Sequence, residues 1–379
     1  MPKNFFKAVA VMVGYIIGVG MFSLPYLISK AGLFSFFIFL MIIVPTQYFL
    51  FLIYSSIIIS THSYHRLTGY ARIYLGKTGE IIVFIAKMIG SYGALLAYII
   101  ITGIFLNQLL APYFGGNEFI YASLLFGIEA IIVYFGIGMI ARAELAMTGL
   151  LLLAVGMIVW KGAGAVEFAN YQFVDWKYLF IPYGAMLYAF DGGSSLPLVA
   201  KLINRKPKVF KSIIKTSVFI SAVVIIAFTL TIVGISGGST TADALTGVKL
   251  LLDDGVIFFS LIFGVLTMIT SFLGVAASIE DTYTWDFGIS KKLAYVLTVF
   301  IPYIMYVVGF KNLIHIISFS GAVSGGLCGI ALILIFKRLK NKKRSLELFK
   351  IKPGTLISYF LIGVFVLGII YEIYYFISR

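Results

Sequence analysis

Residues 18–25 read GVGMFSLP, and residues 190–197 read FDGGSSLP. Both segments contain the pattern Gly-x-x-Ser-Leu-Pro, and Gly192 follows Gly20 by 172 residues. Glycine weakens a helix by about 1 kcal/mol relative to alanine. Proline removes a backbone donor and clashes with the preceding turn. Each segment is therefore predicted to interrupt the helix that contains it.

The composition places these two segments in a membrane. Of the 379 residues, 61% are hydrophobic and only 12% are charged, and the mean hydropathy is +1.05. These values exclude a soluble globular domain. A transmembrane β-barrel is excluded because runs such as 213–235 do not alternate between apolar and polar residues. The predicted fold class is an all-α polytopic membrane protein.

Eleven apolar runs are long enough to cross a bilayer as helices. They cover residues 5–29, 33–59, 81–110, 119–140, 145–160, 178–200, 212–235, 256–279, 293–310, 313–336 and 355–377. The two interrupted segments fall in the first and sixth runs, five helices apart. Five is odd, so the second half of the chain enters the membrane from the opposite side, as an inverted repeat.

The repeat predicts how the chain is divided. A transporter core is expected over residues 1–336, with repeat one at about 5–160 and repeat two at about 178–336. A basic cytoplasmic loop over residues 337–354 and an eleventh transmembrane helix over residues 355–379 complete the chain.

The net charge of +14 raises the question of a nucleic-acid partner. Most of the 29 lysines and arginines lie on one side if the N-terminus is cytoplasmic. The charge therefore indicates topology, and no nucleic-acid partner is expected. The prediction is a multi-pass protein of the cell (plasma) membrane, surrounded by lipid, with its C-terminus outside. The sequence gives no signal for the oligomeric state.

The two breaks also predict what is bound. Backbone N–H groups that open a half-helix attract a carboxylate, and carbonyls that end one attract an ammonium or a cation. A zwitterionic amino acid matches both. The alternative is that these glycines only allow close helix packing and that the prolines are simple kinks. The matched pair of segments favours the binding interpretation.

Other chemistries find little support in the sequence. One cysteine, Cys328, excludes an internal disulfide, and the three histidines include no helical metal-binding pair. We expect no cofactor other than a coupling ion, Na⁺ or H⁺, and no enzymatic activity. The alternatives are a carrier of another small amine or a nucleobase, and, in a different class, a polytopic membrane enzyme or a channel. An enzyme needs clustered polar side chains, and a channel needs a polar pore.

Four stretches carry a resemblance to a known family. They are residues 18–32, residues 189–198, the basic connector 201–211, and residues 270–275, which read TSFLGV and are similar to bacterial aromatic amino-acid permeases. Here the chain resembles the amino acid/auxin permease branch of the amino acid-polyamine-organocation superfamily. The resemblance implies a LeuT-type fold of five plus five helices, with an additional eleventh helix. It further implies secondary active amino-acid symport by alternating access, with the site lined by helices 1, 3, 6 and 8.

The predicted substrate site follows the two breaks. Its residues are Gly18, Val19, Gly20, Met21, Phe22, Ser23, Tyr98, Tyr188, Ala189, Phe190, Asp191 and Gly192. Asp191 is the first candidate to bind an amine or a proton, because a charge inside a membrane is costly unless it has a function or a partner. The alternative is a carboxylate that caps the following half-helix. Tyr98 is a candidate donor to the substrate carboxylate, and Tyr188 and Phe190 are candidate walls of the side-chain pocket.

The resemblance also implies an ion site. Its candidate ligands are the Gly14 and Ile17 carbonyls and the Thr270 and Ser271 hydroxyls, which would hold Na⁺. Hydroxyls inside helices more commonly bond to their own backbone, which is the alternative. Related permeases use protons, and some place a lysine of helix 5 where sodium would bind. The fifth run here, 145–160, has no lysine, which favours sodium.

Further charged residues lie outside this predicted site. Glu129, in the fourth run, is a candidate proton carrier or a structural partner of Lys87, and it is left out of the site. By resemblance, the loop 236–254 is expected to form a lid over the outer vestibule.

An inner gate is a further hypothesis. Three acids end the eighth run, Glu280, Asp281 and Asp286. They are candidates to pair with Lys201 or Arg205 and close the cytoplasmic side, the alternative being simple exposure to solvent.

Overall fold

The computed structural model of the protein describes residues 4–135, 140–249, 254–339 and 355–378, so most of the predicted basic loop, at 340–354, lies outside the described residues. The helices are α1 (Phe5–Ile16), α2 (Gly20–Ala31), α3 (Leu33–Ser60), α4 (Leu67–Phe114), α5 (Glu118–Phe135), α6 (Ile140–Gly162), α7 (Pro182–Ala189), α8 (Leu196–Leu202), α9 (Pro207–Ser236), α10 (Asp254–Asp281), α11 (Lys291–Val308), α12 (Leu313–Phe319), α13 (Gly326–Arg338) and α14 (Thr355–Ile377). Two short π-helical segments, Thr282–Asp286 and Ser320–Gly325, continue α10 and join α12 to α13.

Each of the eleven predicted runs contains helix. Within the described ranges, nine helices are long and apolar enough to cross a membrane. The first run adds a further crossing as α1 and α2, which are bent by 47° at a short break. The sixth run is divided into α7 and α8, of eight and seven residues, each too short to cross a bilayer alone.

The third helix begins earlier than predicted. The apolar run suggested a start at residue 81, whereas α4 starts at Leu67 and bends at Gly76, where φ is +78°. Leu67, Tyr70 and Ala71 are buried, and this i, i+3, i+4 spacing forms one apolar face. The sequence analysis missed this helical turn because polar residues surround it and suggest a connector. It lies at the face of the bundle where α1 begins, called here the N-terminal face.

The helix contacts made by one half of the chain recur in the other half, with equivalent helices interchanged. Helices α4 and α10, from the third and eighth runs, contact each other extensively. Helix α4 packs on α13, and α10 packs on the equivalent α6. Similarly, α4 packs on α5 while α10 packs on α11, and α1 packs on α9 while α7 and α8 pack on α3. Contacts made by one half thus recur in the other with the helices interchanged.

One crossing brings two backbones together without side chains between them. Gly321, in the second π-helical segment, lies against the carbonyl oxygen of Gly184 on α7. A side chain at Gly321 would overlap that oxygen and the Tyr188 side chain. Close approach of this kind is a common use of glycine in membrane helices. It holds the first half of the broken sixth span against the tenth span.

This crossing gives a stability prediction. Gly321→Ala is expected to lower the melting temperature in detergent, because the new methyl group meets backbone that cannot rotate away, a cost of about 1–3 kcal/mol. Gly127→Ala on α5 is the matched control, since no atom lies within 4 Å of a methyl group built there. Equal melting temperatures for the two variants would contradict the tight crossing.

Candidate functional site

The first break separates α1 from α2. Ile17 has φ −84° and ψ 81°, outside the helical region, and the helix resumes at Gly20. The Gly18 N–H donates to the Ile16 carbonyl at 3.0 Å instead of continuing the helical ladder. Pro25 does not mark the break, since it lies inside α2. The interruption therefore coincides with the glycines and precedes the proline by about two turns.

The second break separates α7 from α8. Residues 190–192 are not helical, and the single turn Gly193–Ser195 leads into α8. The two sequence copies share one hydrogen bond. Ser195 Oγ donates to the Gly192 carbonyl at 2.7 Å, and Ser23 Oγ donates to the Gly20 carbonyl at 2.8 Å. The serine of the Gly-x-x-Ser pattern thus stabilises the turn after each break in the same way.

The first break leaves backbone groups unpaired. Among the described residues, no hydrogen bond reaches the N–H of Val19 or Gly20, or the carbonyl of Gly14 or Ile17. All four residues are buried. Buried backbone groups are almost always paired, so these two donors and two acceptors are positioned for a ligand.

A cavity lies between the two breaks. Four predicted site residues line it: Gly18, Tyr98, Tyr188 and Asp191. The side chains of Tyr98 and Tyr188 are hydrogen-bonded to each other. A side chain at Gly18 would lie 3.3 Å from the Tyr98 hydroxyl, so this glycine lets α4 approach the break. The cavity volume is about 60 Å³.

Asp191 has a structural contact of its own. Its Oδ1 accepts the Gly193 N–H at 2.9 Å, which is the capping arrangement considered as the alternative from the sequence. The side chain is nevertheless exposed and lines the cavity. Among the described residues, the carboxylate has no other hydrogen bond or ion pair. Its second oxygen is therefore available to a ligand.

The other predicted substrate residues do not line this cavity. Six of them are packed in the core: Val19, Met21, Phe22, Ser23, Ala189 and Phe190. The remaining two are used for close contacts. A methyl group at Gly20 would lie 2.8 Å from the Ala189 Cα, and one at Gly192 would lie 2.5 Å from Ile16. These eight residues shape and support the breaks, and they contribute backbone more than side chains.

The two hydroxyls of the predicted ion site differ. Thr270 Oγ1 donates to the Thr267 carbonyl of its own helix at 3.0 Å. Ser271 Oγ is buried and, among the described residues, has no partner. Helix α10 approaches α1 one turn away, where a methyl group at Gly274 would lie 2.8 Å from the Tyr15 hydroxyl. An unpaired hydroxyl and the unpaired Gly14 and Ile17 carbonyls are oxygen ligands of the type that a hard cation prefers.

Two residues outside the predicted site also line the cavity, Lys87 and Ser194. Lys87 Nζ donates to Ser194 Oγ at 2.6 Å. The alternative in which Glu129 pairs with Lys87 is therefore not found in the structure, because the Lys87 ammonium is bonded to Ser194 at the second break. Glu129 is 1% exposed, and its Oε1 has no partner in the described part of the chain. The signal available in the sequence was a lysine within an apolar run.

The N-terminal face is closed below the cavity. Arg66 Nη2 lies 2.6 Å from Asp281 Oδ2, and His65 Nδ1 lies 3.3 Å from Asp286 Oδ1. Two of the three predicted gate acids are thus paired, Asp281 with the Arg66 guanidinium and Asp286 with the His65 imidazole, both just before α4. The side chains of the predicted partners contact aromatic rings instead.

Lys201 Nζ lies 4.2 Å from the centre of the Trp285 ring. The Arg205 guanidinium lies 3.8 Å from the centre of the Tyr64 ring and donates to the Thr61 carbonyl at 2.7 Å. These cation–π contacts join α8 and the segment after it to α10 and to the connector before α4. The gate hypothesis placed the correct acids at this face and assigned them the wrong partners.

The opposite face is open. A vestibule of about 750 Å³ lies there, lined by residues that include Tyr26, Asp243 and Glu372. The loop that was expected to form a lid borders it. Gln108 Nε2 donates to Thr246 Oγ1 at 2.6 Å, which ties the loop to α4, and Asp243 accepts from the Thr246 N–H at 3.0 Å. One face is thus closed by the Arg66–Asp281 ion pair and the contacts around it, while the other has a wide entrance.

Comparisons with known proteins agree with this arrangement. A model of the tryptophan/tyrosine permease family matches residues 1–372. A search of curated protein sequences finds no match. The crystal structure of MhsT in complex with L-phenylalanine is similar over 100% of this chain and 98% of that chain, with a TM-score of 0.71 and 15% identity.

A second solved structure is MHP1, a nucleobase-cation-symport-1 family transporter, in a closed conformation with bromovinylhydantoin bound. It is similar over 97% of this chain and 90% of that chain, with a TM-score of 0.63 and 12% identity. The predicted fold, an all-α LeuT-type inverted repeat, is confirmed by these similarities. The predicted transporter family is thus supported, while the name amino acid/auxin permease is not confirmed by the model that matches.

The capping contact of Asp191 gives a prediction that separates its structural role from its charge. Asp191→Asn keeps an oxygen that accepts the Gly193 N–H, so its free energy of unfolding should stay within about 0.5 kcal/mol of the wild type. Asp191→Ala leaves that N–H unpaired and should cost about 1 kcal/mol. Thermal unfolding in detergent checks both values. Equal destabilisation of the two variants would contradict the capping role.

Proposed function

We propose that this chain, which belongs to the tryptophan/tyrosine permease family, carries an aromatic amino acid across the cell membrane in symport with a cation. The protein is a multi-pass membrane protein and a secondary transporter. The proposal concerns its substrate, its coupling ion and its orientation. The substrate would bind between the two breaks and move by alternating access.

The observation that carries the proposal is the set of unpaired backbone groups at the first break. The N–H groups of Val19 and Gly20 suit a carboxylate, because they open a half-helix whose dipole favours negative charge. The Asp191 carboxylate, which lines the cavity between the two breaks, suits the α-ammonium. An α-amino acid presents both charges at a fixed short distance.

The lining of the cavity supports an aromatic side chain. Tyr98 and Tyr188 line the cavity and offer ring surfaces to a substrate ring. Aromatic rings pack favourably against one another. Pockets for drug-sized ligands usually measure about 300–1,000 Å³. The central cavity is far smaller, so it has to widen when the substrate enters.

We assign sodium as the coupling ion, with Gly14, Ile17 and Ser271 as its ligands and Thr270 beside them. The two carbonyls and the Ser271 hydroxyl are unpaired among the described residues. An ion that binds them therefore breaks no existing hydrogen bond. Coupling to H⁺ is the alternative, with Asp191 as its carrier. Sodium would link the position of α10 to the first break, because its ligands come from both.

The proposed orientation places the N-terminal face in the cytoplasm, as the distribution of basic residues favours. The vestibule then opens to the outside, and the Arg66–Asp281 ion pair closes the inside. This conformation would accept substrate from outside the cell, so we propose uptake as the direction of transport.

Reconstituted protein tests the substrate. Liposomes with an inward sodium gradient should accumulate labelled tryptophan or tyrosine, and unlabelled aromatic amino acids should compete at least about tenfold better than leucine or a nucleobase. The control is the same measurement after the gradient is collapsed. Accumulation of a nucleobase, or of no aromatic amino acid under either a sodium or a proton gradient, would overturn the proposal.

A serine substitution tests the coupling ion. Ser271→Ala should raise the sodium concentration for half-maximal uptake by about tenfold, the effect of losing about 1.4 kcal/mol of binding. Ser260→Ala is the matched control on the same helix, because the Ser260 hydroxyl donates to its own helix at Val256. If uptake proceeds without sodium and follows the proton gradient in all three proteins, the sodium assignment is wrong.

A further inference from the structure

Lys87 lies between the substrate cavity and the closed N-terminal face. It is eleven residues before Tyr98 on α4, or about 16 Å along the helix axis. Lys87 and Asp191 are the two charged residues in the lining of the central cavity, and both also line a second cavity below it. The second cavity is bordered by Arg66 and Cys328. Together, the two cavities mark a path from the substrate site toward the N-terminal face.

Two cations hold the same residue of the second break. Lys87 Nζ donates to the side-chain oxygen of Ser194 at 2.6 Å, and Arg66 Nη1 donates to its carbonyl oxygen at 2.9 Å. Lys87 lies on α4 and Arg66 caps its start. Arg66 also pairs with Asp281 at the end of α10. The turn that begins the second half of the broken span is thus fastened to α4 through both its side chain and its backbone.

Lys87 and Asp191 line the same two cavities, and no ion pair joins them among the described residues. A carboxylate in a membrane interior is costly without a partner, and the only described acid lining either cavity is Asp191. Lys87 is the cation common to both cavities. Its ammonium therefore contributes positive charge to both cavities that Asp191 lines.

We propose that Lys87 is a positioning residue for transport, which latches the second break to α4 through Ser194 and keeps the N-terminal face closed. The proposal rests on the transport function but not on the identity of the substrate. Substrate leaving toward the N-terminal face has to pass between α4 and α8, along the path that Lys87 lines. The Lys87–Ser194 hydrogen bond is therefore broken in every cycle that releases substrate on that side.

The chain contains a reporter for this step. Cys328 is its single cysteine, it is partly buried, and it lines the second cavity beside Lys87. A small thiol reagent supplied at the N-terminal face should reach it only when α8 moves away from α4. Because a nearby cation favours the reactive thiolate, removing Lys87 would by itself slow the labelling. Faster labelling therefore reports access.

The experiment compares Cys328 labelling in proteoliposomes whose N-terminal face is accessible to a small methanethiosulfonate reagent. A hydrogen bond from a charged donor contributes about 1.5–3 kcal/mol, so its loss should raise the labelling rate by about tenfold or more. We expect this increase for Lys87→Met and also for Ser194→Ala, which leaves the charge in place. Lys87→Arg, which keeps a charged donor, should stay within about threefold of the wild type. Lys77→Met, at an exposed position of the same helix, is the control and should label at the wild-type rate.

The proposal is overturned if Ser194→Ala, in protein that melts like the wild type, labels no faster than the control. Because Ser194→Ala removes the same hydrogen bond, it tests the latch even if Lys87→Met does not fold. Labelling needs no added substrate, so failure of aromatic amino-acid uptake with faster labelling would reject the substrate assignment and leave the latch intact. Normal aromatic amino-acid uptake with unchanged labelling would reject the latch and leave the substrate assignment intact.

Discussion

Backbone donors and acceptors inside a helical membrane bundle have no water to pair with, and the architecture of this protein depends on where it leaves them unpaired. At the first break, the N–H groups of Val19 and Gly20 and the carbonyls of Gly14 and Ile17 lie buried without partners among the described residues. Keeping such groups unpaired costs free energy. The surrounding helices therefore have to hold the break open, and a ligand that pairs these groups recovers the cost.

Close packing supports this arrangement. Gly20 lies against Ala189, and Gly321 lies against Gly184, so the two broken spans and the tenth span approach at backbone distance. After each break, a serine hydroxyl closes the same turn, and Asp191 caps the second one. The two copies differ in charge, because Val19 occupies the position that Asp191 has in the second copy. The central charge therefore comes from the sixth span, and the unpaired backbone comes mainly from the first.

Charged residues are arranged along one path from the substrate cavity to the N-terminal face. Lys87 and Arg66 meet at Ser194, Arg66 continues to Asp281, and Lys201 covers Trp285. Isolated ion pairs at a surface contribute little. These contacts are partly buried and join three helices, so they resist separation of those helices at the N-terminal face. The same set of contacts leaves the opposite vestibule open.

The sequence by itself determined the membrane class, the eleven apolar runs and the inverted repeat, because hydropathy and the Gly-x-x-Ser-Leu-Pro pattern are local properties. It also indicated Asp191 and Tyr98 as candidate site residues. A charge inside an apolar run is costly unless it has a partner or a function, and the repeat located the two breaks. It could not determine the partners. Lys87 was left as a candidate partner of Glu129, because a position within an apolar run does not specify the direction of a side chain around the helix. Only the tertiary structure showed that Lys87 bonds to Ser194 and that Arg66 pairs with Asp281. Those contacts depend on the rotation of each helix about its axis and on the direction of the bend at Gly76, which no local pattern encodes.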